Sequence, residues 1–167
     1  LGDGVTMNAE SITSTATKGS ELVFVGGGTL AAAVGKAIAL DKIKSGADGK
    51  IVNLDAGNYT VANIELQHAN GTTKLADSFN LTGAFNTGSG AAGKIEFLGD
   101  AKVTGELGGG ANTVGVVTGA GVEKTLELGG NVNATSLDAN AADNQKLKFT
   151  NAVGTDIDVD TVVGNTS

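Results

Sequence analysis

Short alternations of apolar and polar residues, interrupted by glycine, make up most of this chain. Alternation places apolar side chains on one face of a strand and polar side chains on the other. Segments 21–25 and 50–54 follow this pattern, and each ends in a turn sequence, the glycines at 26–28 or Asp-Ala-Gly-Asn at 55–58. The pattern therefore predicts a protein built mainly of short β-strands.

The period of the pattern changes between residues 29 and 46. Leu30, Val34 and Ile38 recur every four residues, and alanine fills many of the positions between them. This spacing is typical of an amphipathic helix, and threonine and glycine stand where they could cap its two ends. We therefore expect one α-helix here, with Leu30, Val34 and Ile38 forming its apolar stripe.

A short phrase recurs three times in the second half of the chain. It is an apolar–charged–apolar triplet followed by glycine, asparagine, aspartate and valine residues, and the triplets begin at Ile95, Leu126 and Leu147. Recurrence every 20 to 30 residues or so is typical of a solenoid, in which each repeat buries its apolar face against the next. We expect these three residues to stack inside a parallel β-solenoid. The expected parts are strands or an extension over 1–28, a capping helix over 29–46, and roughly six coils of a single solenoid over 47–167.

Composition narrows the class of protein. The chain has 27 glycines, no proline and no cysteine, and its net charge is −7. The absence of cysteine excludes disulfides and thiolate metal sites. All basic residues are lysine, so with this net charge we expect no binding to nucleic acid. No apolar run approaches the ~18 residues of a membrane-spanning helix. The two ends of the sequence are those expected of a piece of a longer protein.

The order of elements from residue 29 to 66 resembles the entry of right-handed parallel β-helices of the pectate-lyase and phage-tailspike type. The motif is the Ala-rich segment 29–39, the strand 50–54 and the sequence Asp-Ala-Gly-Asn-Tyr-Thr-Val at 55–61. In those proteins an amphipathic helix covers the open end of the coil. The resemblance implies a mainly β fold, a right-handed parallel β-helix with an N-terminal capping α-helix.

The second half resembles the passenger domains of rickettsial surface cell antigens, autotransporters similar to outer membrane protein B of that group. The resemblance rests on segments 93–105, 129–135 and 146–152. It implies a location at the bacterial cell surface, on the extracellular face of the outer membrane, and a non-catalytic role in adhesion to host cells or in a surface layer. The implied partners are a host-cell surface protein or neighbouring copies, with membrane contact only through a C-terminal barrel outside this segment.

One alternative is a dinucleotide-binding unit. Strand 21–25 precedes a Gly-x-Gly-x-x-Ala sequence at 26–31, and Asp55 ends the next strand, where a ribose-binding carboxylate belongs. The rest of the chain does not return to strand–helix alternation. We therefore expect a glycine corner that leads into the capping helix, and no cofactor.

A second alternative is a polysaccharide lyase or hydrolase. Lyases of this fold commonly use an arginine base, and the chain has no arginine. Hydrolases need clustered carboxylates, whereas Asp55, Asp77 and Asp100 stand apart in the sequence, mostly at turns. We therefore predict that the chain is not an enzyme and has no catalytic residue.

Other polar residues favour ordinary surface or core roles. Asp156, Asp158 and Asp160 alternate along a predicted strand and could attract a cation weakly, but a solvated face is the simpler interpretation and we predict no metal site. His68 is expected at the surface and Tyr59 in the packed interior. Five Asn-x-Ser/Thr sequences are as many as this composition gives by chance: Asn58, Asn70, Asn80, Asn133 and Asn165.

Overall fold

The structure is a computed structural model that describes residues 1–15, 19–88, 93–109, 113–119, 123–139, 145–150 and 157–164. Within these residues the regular elements are all β-strands, and the strands pair in parallel. The strands are β1 Val5–Ile12, β2 Glu21–Val23, β3 Gly28–Val34, β4 Leu40–Ser45, β5 Ile51–Leu54, β6 Asn58–Leu66, β7 Thr72–Leu75, β8 Phe79–Thr87, β9 Lys94–Phe97, β10 Ala101–Val103, β11 Val114–Gly119, β12 Thr125–Leu128, β13 Val132–Ala139, β14 Lys146–Phe149 and β15 Ile157–Gly164.

The strands form three parallel ladders that run the length of the molecule. Ladder A is β1–β3–β5–β7–β9–β11–β13–β15. Ladder B is β3–β6–β8–β10–β12–β14. Ladder C begins β2–β4–β6–β8 and reaches β13 through bridges at Leu107. The chain passes through A, B and C in turn and repeats this path every 20 to 25 residues or so. The predicted parallel β-solenoid is confirmed, with at least six turns. Its right-handed winding stays a prediction.

Apolar side chains from successive turns lie above one another inside the solenoid. Because side chains alternate along a strand, each short strand sends every second residue inward. The inward columns are almost entirely branched aliphatic residues and phenylalanine. On ladder C the column is Leu22, Ile43, Ile64, Phe85, Leu107 and Val132. On ladder B it is Val34, Tyr59, Leu81, Val103 and Leu128.

Tyr59 is the only tyrosine and is fully buried. Its ring lies 5.0 Å from the ring of Phe79. Its hydroxyl donates a hydrogen bond to the backbone oxygen of Leu30 at 3.1 Å and accepts one from the backbone N–H of Ala56 at 3.3 Å. Burial raises the pKa of the Tyr59 hydroxyl well above its ordinary value. The predicted packing role agrees with this geometry.

The predicted capping helix over 29–46 is wrong, because β3 and β4 occupy this segment. Leu30 and Val34 are buried, but Ala32 between them is buried too, so the true period is two rather than four. Ile38 lies in the turn between the strands and is 38% exposed. Alanine fits either period, and pairing on both sides, with β1 and with β5 and β6, stabilises the strand.

The dinucleotide-binding alternative is also wrong, since it needs a helix directly after the glycines at 26–28. A strand begins there instead, and Gly28 pairs with Val5 on one side and Val52 on the other. These glycines let two turns approach closely: a Cβ atom on Gly28 would lie 2.7 Å from the backbone oxygen of Val5. The first two strands, in the segment 1–28 predicted as strands or an extension, thus belong to the same ladders as the rest.

The predicted stacking of the repeated phrase is correct for two of its three copies. Leu126 lies directly beside Leu147 on ladder B. Ile95 lies on ladder A, between Thr73 and Val117, so its expected stacking on Leu126 is wrong. The first phrase starts one ladder earlier in the turn than the other two. Its triplet has the same alternation as theirs, and alternation alone does not distinguish one ladder from another.

Candidate functional site

Some outward positions of the solenoid pair charges of opposite sign across neighbouring turns. On ladder B, Glu127 lies between two lysines, with its carboxylate 2.6 Å from Lys102 Nζ and 3.0 Å from Lys148 Nζ. On ladder C, Lys44 Nζ lies 2.8 Å from Glu21. Opposite charges on neighbouring strands stabilise the pairing slightly, whether they are directly opposite, as Glu127 and Lys148 are, or diagonal, as Glu21 and Lys44 are. The described part of the lateral surface therefore includes lysine–glutamate pairs between neighbouring turns.

Ladder A has one such pair of a lysine and a glutamate from neighbouring turns, and ladder C has a second. Lys74 Nζ lies 3.4 Å from Glu96 on ladder A. On ladder C, Lys42 forms an ion pair with Glu65, whose carboxylate also accepts a hydrogen bond from the amide of Gln67. The glutamates of these pairs are thus each bound by a lysine of a neighbouring turn.

The corner between ladders A and B brings Asp77 and Asp100 together, although the sequence suggested that they stand apart. The backbone N–H of Asp100 donates a hydrogen bond to Asp77 Oδ1 at 2.7 Å. Lys124, from the next turn, lies 3.0 Å from Asp77 Oδ2 and 3.4 Å from Asp100 Oδ2. Asp100 Oδ1 accepts a further hydrogen bond from the backbone N–H of Thr125 at 2.8 Å. This cluster, Asp77–Asp100–Lys124, is the candidate site.

The electrostatics of Asp77 do not suit acid catalysis. The Lys124 ammonium and the Asp100 N–H hold the pKa of Asp77 below its ordinary value of 3.8. A glycosidase general acid requires the opposite, a carboxyl group whose pKa is raised so that it carries a proton at working pH. Asp55 follows β5 and is exposed, and its backbone N–H donates to Leu30. The geometry therefore supports a structural role for Asp77.

A shallow groove runs beside this corner along ladder B. Hydroxyl, amide and charged groups from three consecutive turns line it, and its floor is the edge of the buried column at Phe79 and Ala101. The polar lining residues are Ser78, Asn80, Asp100, Lys102, Thr125 and Glu127. Its position on an open lateral surface suits contact with an extended partner more than enclosure of a small substrate.

The remaining candidates take ordinary positions. His68 is exposed in the turn after β6. Asn58 and Asn80 pair across ladder B, and so do Thr60 and Thr82, so two of the Asn-x-Thr sequences are simply consecutive outward positions of stacked strands. Asn165 and Asp156 lie outside the described residues, and Asp158 and Asp160 lie outside those whose side chains the structure describes.

Neither a metal site nor a membrane helix is found in the described part of the chain. No group of three or more histidine, cysteine, aspartate or glutamate side chains there could hold a metal ion. Among the same residues, no helix is long and apolar enough to span a membrane. Comparison of the chain with models of protein families, with curated proteins and with solved structures finds no match.

Sequence reasoning missed Lys124 as the partner of Asp77. A lysine that contacts an aspartate 47 residues earlier gives no local signal, because the contact spans two turns of the solenoid. The signal that could have found it is the sequence separation of 47 residues, which is about twice the number of residues in one turn.

The paired carboxylates predict that acid will destabilise the fold. Lys102 and Lys148 hold the pKa of Glu127 below its ordinary value of 4.5. A carboxyl group whose pKa is lower in the folded state stabilises that state above its unfolded pKa, and this contribution is lost as pH falls through the folded pKa. We expect the melting temperature to fall below about pH 4, and Glu127→Gln to reduce that fall.

The measurement is the melting temperature between neutral pH and pH 2 for the wild type, Glu127→Gln and Glu10→Gln. Glu10 is exposed, and within the described residues it has no ion-pair partner. Glu127→Gln should melt below the wild type at neutral pH and together with it in strong acid, while Glu10→Gln should follow the wild type throughout. A constant difference between Glu127→Gln and the wild type at every pH would contradict the role of ionisation.

Proposed function

We propose that this chain is a non-catalytic passenger fragment of a bacterial surface protein of the rickettsial surface cell antigen type. In this proposal it lies at the cell surface, on the extracellular face of the outer membrane, and acts in adhesion to host cells or in surface-layer display. The partner is a host-cell surface protein or a neighbouring copy, and no cofactor takes part. The observation that carries the proposal is the described lateral surface, on which polar residues and oppositely charged pairs lie beside one another on neighbouring turns.

Such a surface favours binding through many modest contacts. Exposed ion pairs contribute little individually, and the shallow groove along ladder B is open to solvent, so it does not concentrate the binding free energy in one place. Many copies on one cell surface would compensate, because linked weak contacts give a much higher overall affinity than any one of them. Adhesion should therefore depend strongly on the density of the protein and weakly on any single side chain.

The test uses beads coated with the folded chain at increasing density and added to host cells. Capture should rise steeply with density, and Asp77→Asn should capture as well as the wild type to within about twofold. Beads carrying Gly83→Ala, used once circular dichroism has shown that this variant is not folded, are the matched control. Capture no better than this control at every density would overturn the adhesion proposal.

A surface layer is the second candidate function, because outward charges of opposite sign on neighbouring turns give two copies of the chain complementary groups to pair. For this function the purified chain alone should form sheets or filaments as its concentration rises, as seen by sedimentation and electron microscopy. A monomer at all concentrations would exclude it.

A polysaccharide lyase or hydrolase is the alternative that these proposals exclude. An enzyme of this class would turn over an anionic polysaccharide, and a single substitution of Asp55, Asp77 or Asp100 would abolish that turnover. Such turnover by the wild-type chain would overturn the non-catalytic proposal. Its absence over a broad panel of glycans is the expected result.

A further inference from the structure

The Asp77 cluster has a counterpart at another corner of the solenoid. Asp3 precedes β1, and its Oδ1 atom accepts a hydrogen bond from the backbone N–H of Gly27 at 2.9 Å. Its Oδ2 atom lies 2.7 Å from Lys50 Nζ. The three residues come from three consecutive turns, just as Asp77, Asp100 and Lys124 do. In both cases one carboxylate binds the next turn and also the turn after that, although Lys124 contacts both oxygens of Asp77, Oδ2 at 3.0 Å and Oδ1 at 3.2 Å.

The two arrangements agree in spacing. The lysine follows its aspartate by 47 residues in both. In both, the residue before the N–H donor is a glycine pressed against the aspartate. A Cβ atom on Gly26 would lie 2.7 Å from the backbone nitrogen of Asp3, and one on Gly99 would lie 2.0 Å from Asp77 Oδ1. The aspartate, the glycine and the lysine therefore form one recurring structural unit.

We infer that each unit is a brace that couples three consecutive turns, so that they open and close together. In a solenoid each repeat contacts only its neighbours, and local opening can start at any turn. The other cross-turn ion pairs in the described part of the chain follow this rule, as Lys44 with Glu21 shows for adjacent strands β4 and β2. The braces add a direct link between a turn and the second turn after it.

The coupling has a specific geometric origin. The carboxylate of Asp77 also accepts a hydrogen bond from the N–H of Ser78, a residue with φ of 62°, so the corner of its own turn is fixed by the same group. When Lys124 leaves, the carboxylate loses its charged partner, and the hydrogen bonds that it accepts from Ser78 and Asp100 weaken with it. Loss of the lysine in the third turn therefore weakens hydrogen bonds in the first turn.

Amide hydrogen exchange of the intact chain tests this inference, with Lys124→Met as the variant and Lys44→Met as its matched control. Both lysines are about equally exposed, but Lys44 links adjacent turns only. Lys124→Met should speed exchange about two- to fivefold at Ser78 and Phe79, two turns away, as well as at Thr125. Lys44→Met should speed exchange only on β2, β4 and the strand next to them.

The second brace provides an independent repeat of the test. Lys50→Met should speed exchange at Gly4 and Gly27 as well as at Ile51. Circular dichroism confirms that each variant is folded before exchange is measured. If Lys124→Met and Lys50→Met change exchange only in the turn that carries the lysine, or change nothing, or if Lys44→Met acts equally far, the brace inference is overturned.

Discussion

Replacing Gly83 with alanine is expected to prevent the chain from folding, or to lower its free energy of unfolding by about 3 kcal/mol or more. Gly83 lies in β8, at the corner between ladders B and C, with φ of 147°. A Cβ atom there would lie 1.7 Å from the backbone oxygen of Val61 in the preceding turn. The oxygen belongs to β6, so it can move away only if the ladder itself shifts.

The matched control is Gly49→Ala. Gly49 also has a positive φ, 65°, but nothing lies within 4 Å of a Cβ atom at that position. This variant should lower the free energy of unfolding by only roughly 1 kcal/mol, because alanine is less favourable than glycine at a positive φ. Urea unfolding followed by circular dichroism measures both. If Gly83→Ala were as stable as Gly49→Ala, the close approach of turns at this corner would be contradicted.

Replacing Phe85 with alanine is expected to lower the free energy of unfolding by about 3 to 5 kcal/mol. Phe85 is fully buried on ladder C, with Ile64 beside it on one side and Leu107 on the other. Removing its ring opens a cavity in the narrow column. The rigid ladders on either side limit how far neighbouring side chains can move in to fill it.

The same substitution at Phe149 serves as the control for Phe85. Phe149 is at the end of β14 and is 40% exposed. Its replacement by alanine should lower the free energy of unfolding by about 1 kcal/mol or less, because less buried apolar surface is lost than at Phe85. Equal losses for the two variants in urea unfolding would show that the ladder C column is not the core of the protein.

The sequence predicted the class of fold because alternation, glycine spacing and repeat length agree with one another. It failed at residues 29–46, where apolar residues four apart satisfy a helix period and also lie on the same face of a strand. Leu30 and Val34 fit both patterns, and the alanines between them favour neither strongly. Strand partners on both sides decide the outcome, and these are far away in the sequence.

The candidate site could be predicted only in part. The sequence predicts that Asp77 and Asp100 lie at turns, and both bind backbone N–H groups. Their contact with each other and with Lys124 depends on how many residues each turn takes, which varies along the chain. The same variation explains why Ile95 lies on another ladder than Leu126. A pattern of apolar residues gives the alternation within a strand but not the register between turns.

Disulfide formation between introduced cysteines tests this register most directly, because the chain has no cysteine of its own. Residues side by side in neighbouring parallel strands are about 4.8 Å apart, within the range that a disulfide spans. Glu127 and Lys148 are neighbours of this kind. Glu96 and Glu127, the middle residues of the first two copies of the repeated phrase, would be neighbours only if each copy lay beside the next on the same ladder. Mild oxidation should link cysteines at 127 and 148 and leave cysteines at 96 and 127 unlinked. A link between 96 and 127, with none between 127 and 148, would contradict the stacking of turns described above.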